Sequence, residues 1–270
     1  MTAIALTIAG SDSGGGAGIQ ADLKTFSALG VYGASVIAAL TAQNTRGVQG
    51  VFDIPADFVR LQMDSVFSDL DIDAVKIGML SNPATIEAVA GGLKAHGAKN
   101  VVLDPVMVAA SGDALLRPEA IATLRDLLLP LADILTPNLP EAAKLLDAPV
   151  AETVEEAEAQ ALRLLELGPR AVLVKGGHGS GAQSVDILAG ADGTVKLAAP
   201  RIDTDNSHGT GCTLSSAIAA GLAKGAAPEA AVRAAKAYVT EAIRHSDELK
   251  IGHGHGPVHH FHAIWGKETS

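Results

Sequence analysis

The chain has 270 residues, 48% of them hydrophobic but only 3% aromatic, with one cysteine and a formal charge of −10. This is enough apolar material for one large core or two small ones resting on aliphatic side chains, and the composition reads as soluble and globular. A lone cysteine excludes an intrachain disulfide, the lack of any run of about 18 apolar residues excludes a helical membrane span, and the acidic balance argues against a nucleic-acid surface.

The N-terminal "MTAIALTIAGSDSGGG" has no basic start and no cleavage-type ending, so it reads as a first strand, 3–9, rather than a signal peptide. A cytoplasmic, reducing location is expected. "GSDSGGGAG" follows from Gly10 and opens a helix over 19–29. It can cradle a phosphate or be a flexible connection; it is not a P-loop, because no Gly-Lys-Ser/Thr follows. A strand over 34–40 runs into "TAQNT", which lacks the acidic residue a dinucleotide site needs. There Gln43 and Asn44 are either a turn pair or an amide placed to read a heterocycle that carries an amino group beside a ring nitrogen.

Further on, helices are predicted over 56–67, 83–93, 118–128, 140–146 and 154–165, and strands over 74–77, 101–104, 133–135, 171–175 and 185–188. Runs such as "NVVLDP" and "AVLVKG" are apolar throughout, as in a parallel sheet buried on both faces. Glycine after helices (Gly30, Gly97, Gly168) and proline at their starts (Pro83, Pro118, Pro140, Pro228) punctuate the alternation. A doubly wound α/β sheet forming one domain over 1–270 is expected. Ligands of such a sheet lie beyond the carboxyl ends of its strands. "GML" from Gly78, Asp104 in "DPVM", Glu141 in "TPNLPE" and Lys175 in "KGGH" all fall there. Asp104 and Glu141 can hold Mg²⁺ directly or through water; equally, Asp-Pro is a common turn and Glu141 can complement a helix dipole.

"DTDNSHGTGCT", from Asp203, precedes a helix over 213–223. Its glycines let consecutive N–H groups point at one place beside a positive dipole end, which suits a transferring phosphoryl group. Cys212 at that start has either a lowered pKa or the role of a small buried hydrophobe, and the surrounding glycines favour the former. A helix over 228–245 follows, and then "HSDELKIGHGHGPVHHFH", with six of the nine histidines. Its spacing is not that of a helical metal pair, so a terminal loop packed over the domain is expected.

Together, "TIAGSDSGGGAGIQADLKTFSALGVYGASVIAALTAQNT", "VKIGML", "LDPVM", "LTPNLPEA", "VLVKGGH", "DNSHGTGCT" and "IGHGHGP" resemble the hydroxymethylpyrimidine/phosphomethylpyrimidine kinases of thiamine biosynthesis over nearly the whole chain. The resemblance implies a three-layer α/β/α, ribokinase-like fold with a mostly parallel central sheet. It also implies phosphoryl transfer from Mg-ATP to a pyrimidine alcohol and then to its monophosphate. Sugar kinases of that superfamily carry an aspartate base where this chain has Cys212. By resemblance, Gly209, Thr210, Gly211 and Cys212 form the anion hole, and Cys212 lies near the acceptor oxygen. Gln43 binds the aminopyrimidine edge, with Gly10, Asp22, Met79 and Met107 near the same pocket. Asp104 and Glu141 serve the magnesium–phosphate region, and Lys175 lies near the nucleotide. "MVAASGDALL", from Met107, resembles a flap that shields the site from water. The helix start favours a Cys212 thiolate and adjacent phosphates disfavour it, and the sign of the sum stays open. The rivals are a pyridoxine/pyridoxal kinase and a non-catalytic pyrimidine-binding sensor. The family implies a homodimer.

Overall fold

Strict alternation in the central strands decides the architecture. Leu6 and Ile8, Val101 and Leu103, and Val172 and Val174 pack into one core, whereas Ala5, which precedes the first pair, and Val102 and Leu173, which lie between the others, pack into a second core on the opposite face. Each strand is therefore apolar on both sides and is covered by helices on both sides. The computed structural model describes residues 1–108, 115–178 and 181–265.

In chain order the elements are β1 (Ile4–Gly10), α1 (Gly18–Ala28), β2 (Tyr32–Asn44), β3 (Gly47–Asp53), α2 (Ala56–Phe67), β4 (Ala74–Ile77), α3 (Pro83–Ala95) and β5 (Val101–Leu103). There follow α4 (Pro118–Leu127), β6 (Ile134–Leu135), α5 (Leu139–Leu146), α6 (Val154–Leu165), β7 (Ala171–Val174), β8 (Gln183–Gly190), β9 (Gly193–Pro200), α7 (Thr210–Ala223) and α8 (Pro228–Arg244). The sheet order is β3-β2-β1-β4-β5-β6-β7-β8-β9. From β2 to β7 all neighbours are parallel, and β3, β8 and β9 add antiparallel pairings at the two margins. Helices α2 to α6 supply one core and α1, α7 and α8 the other, giving the expected three layers with a mostly parallel sheet.

Three expectations need correction. The sequence pattern missed β3, whose residues are all exposed or half-buried and so carry no burial alternation. It also missed β9, an edge strand with only one buried residue. Helix α7 begins at Thr210 with Gly209 as its N-cap, three residues before the predicted start, so "GTGC" is the first turn of the helix rather than a loop ahead of it. Among the described residues no helix is long and apolar enough to cross a membrane.

Candidate active site

A cavity of about 730 Å³ opens beyond the carboxyl ends of the parallel strands and is lined by Gly10, Gln43, Met79, Asp104, Met107, Glu141, Lys175 and Gly209–Cys212. The expected site residues therefore meet in one place, with the exception of Asp22, which lies behind the wall. Gly10 leaves room there for the Met79 methyl group, which a Cβ would meet at 2.8 Å and displace. The segment expected to act as a flap falls largely on residues 109–114, outside the described residues.

The two glycine-rich loops build the upper wall by packing backbone on backbone. Gly209 has φ +80°, and a Cβ there would collide with the Gly16 carbonyl oxygen. Gly16 is in turn covered by the His208 ring. The α7 start carries no side-chain cap and no acidic residue in its first turn. The Thr210 N–H donates to the Ser207 carbonyl at 3.2 Å and the Thr213 N–H to Gly209 at 2.9 Å, so it is the Gly211 and Cys212 N–H groups, with the dipole, that face outward to an anion.

Beneath that turn lies a buried ion pair. Lys76 Nζ donates to both Asp22 carboxylate oxygens at 2.9 and 2.8 Å, and both side chains are fully buried. Thr7 and Ser216 also donate to Asp22, at 2.6 and 2.7 Å. Burial alone would push Lys76 down, but the charges of Asp22, Cys212 and Asp104 together leave it raised. Cys212 itself keeps some exposed surface. Even so, burial of its thiol pushes the pKa from 9.0 up to about 11, because the Lys76 ammonium and the Gly18 N–H do not offset desolvation and the repulsion of Asp22 and Asp104. The sign that the sequence left open is thus upward: burial and the neighbouring carboxylates favour the neutral thiol.

The third group is Asp104, Lys175 and Glu141. Lys175 Nζ lies 2.8 Å from Asp104 Oδ1 and 3.8 Å from Glu141 Oε2. Asp104 also accepts from Thr136 and Ser215, each at 3.3 Å. Glu141 is the N3 residue of a capping box, accepting the Asn138 N–H at 2.7 Å while Asn138 Oδ1 accepts the Glu141 N–H at 2.8 Å. It therefore does complement a helix start, yet its carboxylate also borders the cavity. Burial, and then Asp104, push Glu141 up to about 6 against the pull of Lys175. Two buried carboxylates sharing one ammonium retain a negative charge that a cation would relieve. Among the described residues no three metal-binding side chains converge. Mg²⁺ accepts such a sparse set, because it is commonly held by one or two carboxylates together with phosphates and water, so the residues fit it.

Sequence reasoning passed over three residues here. Lys76 is a single charge inside an apolar strand, which was the available signal. Asp12 is buried at 2% exposure and organises the first glycine loop, Oδ1 accepting from Gly14 N–H at 2.8 Å and Oδ2 from Gly16 and Ala17 at 2.9 and 2.8 Å. His208 Nε2 lies 2.9 Å from Asp12 Oδ2 and 3.4 Å from the Gln43 amide nitrogen. A strap from the C-terminal segment holds this corner. Gly256 O accepts the His208 N–H at 3.0 Å, and Thr45 Oγ1 accepts from His253 and Gly254, each at 3.2 Å. Past the strap, burial pushes His260 down to about 3, and its ring lies 3.1 Å from Thr213 Oγ1. The histidine-rich end is therefore a loop packed on α7.

The family described as phosphomethylpyrimidine kinase matches residues 12–259. A hydroxymethylpyrimidine/phosphomethylpyrimidine kinase of Rhizobium meliloti is 62% identical over 98% of this chain and 99% of its own. A thiamine biosynthesis bifunctional protein of Geobacter sulfurreducens is 52% identical over 94% of this chain and 51% of its own length. Among solved structures, an ADP complex of Bacillus subtilis pyridoxal kinase superposes with a TM-score of 0.91 at 39% identity, covering 98% of this chain and all of that one.

Proposed function

The chain belongs to the phosphomethylpyrimidine kinase family, and on that premise we propose that this one cavity phosphorylates 4-amino-5-hydroxymethyl-2-methylpyrimidine with ATP and then phosphorylates the monophosphate, for thiamine biosynthesis. The observation that carries the reading is the uncapped, glycine-started α7 facing the same cavity as Gln43 and the Asp104–Lys175–Glu141 group. Phosphoryl transfer needs little covalent help from the protein; alignment and neutralisation of charge supply most of the rate. The Gly211 and Cys212 N–H groups of α7 receive the transferring phosphoryl oxygens. Lys175 stands beside them, since its Nζ would lie 3.4 Å from a Cβ at Gly211. Ile202, Leu214, Val239 and Ile243 form an apolar stretch of the lining that suits a flat nucleobase. Asp104 and Glu141 hold Mg²⁺, directly or through water, and the ion supplies neutralisation of the phosphate charge. Cys212, in its thiolate form after losing its own proton to solvent, accepts the proton of the attacking hydroxymethyl group. A cytoplasmic location fits the single free thiol.

The second reading is a pyridoxal kinase, favoured by the close superposition on that enzyme of Bacillus subtilis. Both substrates are flat heterocycles with a hydroxymethyl arm. ADP release measured in parallel with the hydroxymethylpyrimidine, its monophosphate, pyridoxal and ribose separates them. Turnover of both pyrimidines above pyridoxal is expected, and pyridoxal as the better substrate would overturn the first reading.

Gln43→Leu should leave the fold intact and weaken pyrimidine binding by roughly 1–3 kcal/mol, the cost of an unpaired polar edge. Titration calorimetry with the pyrimidine checks this, and an unchanged dissociation constant removes Gln43 from the pocket.

Glu141 gives a pH signature. With its pKa at about 6, against 4.5 for a free glutamate, the native state holds this proton more tightly than the unfolded chain. About 2 kcal/mol of stability present below the lower value is therefore lost as pH rises through the upper one. Magnesium nucleotide favours the charged form, so Mg-ADP should raise the melting temperature more at pH 7 than at pH 5. Glu141→Gln should flatten that difference, and a pH-independent shift in the parent enzyme would exclude Glu141 from the metal region.

Leu40 and Phe52 are cross-strand partners, and with Phe58 and Leu61 of α2 they are 45 to 66% exposed. Exposed apolar side chains on β2, β3 and α2 support the homodimer. Phe52→Asp should yield a folded monomer by sedimentation, and an unchanged mass would place any interface elsewhere.

A further inference from the structure

Gln43 presents its amide to the cavity between two neighbours, Thr41 Oγ1 at 3.3 Å from Oε1 and His208 Nε2 at 3.4 Å from Nε2. The two ends of a glutamine amide have nearly the same shape, so its direction is fixed by what the neighbours can give and take. Both neighbours are already committed. His208 Nε2 faces Asp12 Oδ2 at 2.9 Å. Asp12 is a carboxylate, accepting from three backbone N–H groups and held below the usual carboxylate range, although burial opposes it, by the His208 bond and those N–H bonds. It has no proton to offer, so Nε2 must carry the hydrogen. Thr41 Oγ1 donates its own hydrogen to the Ser11 carbonyl at 2.9 Å and has only lone pairs left. The single Nε2 hydrogen is given to Asp12 at 2.9 Å and reaches the amide end, 3.4 Å away, only as the longer arm of a shared contact, so an N–H edge with no lone pair stands where the amide nitrogen lies, and an acceptor where the amide oxygen lies.

We infer that Asp12, His208 and Thr41 together lock the Gln43 amide with its carbonyl toward the His208 N–H and its NH₂ toward the Thr41 hydroxyl, and that this lock makes His208 a specificity-determining positioning residue. The inference rests on the pyrimidine-kinase reading of the site and deepens it. A locked amide offers its remaining lone pair at one end and its remaining N–H at the other. A 4-aminopyrimidine edge has the opposite order, an exocyclic N–H donor beside an accepting ring nitrogen, and docks with its hydroxymethyl arm on one defined side. The 4-oxo counterpart presents an exocyclic acceptor beside a ring N–H, and binds only if the amide turns over. Turning it would set the amide NH₂ against the His208 N–H and the carbonyl against the lone pairs of Thr41. The glycine–histidine strap acquires a purpose here, since its Gly256 carbonyl and Val258 N–H bond the backbone of His208 at 3.0 and 3.3 Å.

The test is His208→Phe, which keeps a planar ring against Gly16 and removes the ring N–H groups, and with them the side-chain partner of the buried Asp12, so its fold is verified first by its melting curve. The parent protein should bind the 4-aminopyrimidine over its 4-oxo counterpart by about 10²-fold or more, the scale on which a site built for one hydrogen-bond pattern rejects its inverse. In His208→Phe the amide keeps the Thr41 contact but loses its other constraint, and that ratio should fall at least tenfold, with KM for the pyrimidine raised and KM for Mg-ATP unchanged. A merely structural histidine would weaken both pyrimidines alike and leave the ratio intact, which would overturn the inference. The parent protein supplies a second measurement independent of any variant: ¹⁵N NMR of the histidines should show His208 protonated at Nε2, and a bare Nε2 sinks the lock. Both readouts use binding and spectroscopy, so a failure of the kinase reading, seen as no ADP release with either pyrimidine, is recorded separately.

Discussion

Cys212→Ala should fold normally and lose about 10²-fold or more in turnover of the hydroxymethylpyrimidine, the usual contribution of a positioned proton acceptor. Nucleotide affinity should hardly change, because removal of the proton matters in the transition state rather than in the ground state. The raised thiol sharpens the expectation in two ways. Only the thiolate can accept the proton, so with a pKa of about 11 the turnover of the parent enzyme should climb with pH across the neutral and mildly alkaline range. The variant should lose that limb. The second phosphorylation should suffer much less, because its acceptor is a phosphate with a second pKa near ~6 and is already deprotonated at neutral pH. The raised pKa should slow iodoacetamide labelling about tenfold relative to an ordinary thiol at equal pH, since the scarcer thiolate is partly offset by its higher nucleophilicity. Parallel ADP-release assays with both acceptors across pH decide the matter. Equal losses on alcohol and phosphate, or near-normal turnover of the alcohol, would remove the proton-acceptor role and leave the glycine-started helix as the functional part of "HGTGCT".

Lys76→Met should cost about 3–5 kcal/mol of stability, because it leaves the Asp22 carboxylate fully buried without its cation. For a chain of this size that is a fall in melting temperature on the order of 10 °C. Thr7 and Ser216 remain as donors, but two hydroxyls do not substitute for an ammonium. The double change Lys76→Met with Asp22→Leu should recover most of the loss, since it replaces a buried pair by apolar groups instead of orphaning one partner. Melting curves of the three proteins provide the check. A single variant as stable as the parent would mean that the pair is already solvated, against its complete burial.

The layered fold was legible because burial on both faces leaves an unbroken apolar run, and residues 101–103 and 171–174 carry one each. β3 and β9 were illegible for the converse reason: margin strands with little or nothing buried obey no hydrophobic period. Placement at strand ends picked out Gly10, Gln43, Asp104, Glu141 and Lys175, because topology alone makes those positions converge. It could not pick out Lys76, whose charge inside a strand looks from sequence like an exposed face and proves to be the counterion of a residue 54 positions away. The pKa of Cys212 was beyond reach for a similar reason. A helix start and a depth of burial act on it with opposite signs, and only the fold determines the depth. Asp12 and His208 read singly as loop residues, and their meaning lies in the contact between them.

That contact joins positions 196 apart in the chain, and the bond from Gly254 to Thr45 spans 209. A polypeptide made from its amino end presents the first glycine loop early and must hold it open until about 200 further residues have been synthesised. Closing so long a span costs little more entropy than closing a moderate one, since the penalty grows only with the logarithm of length, so the constraint is one of order rather than of energy. β1 and β2 can pair at once, whereas the pocket has no roof until residues 207–211 arrive and no strap until residues 252–258 follow. A chain cut before residue 252 therefore lacks the strap on the first glycine loop while keeping every strand of the sheet, so it should lose pyrimidine affinity before it loses the fold.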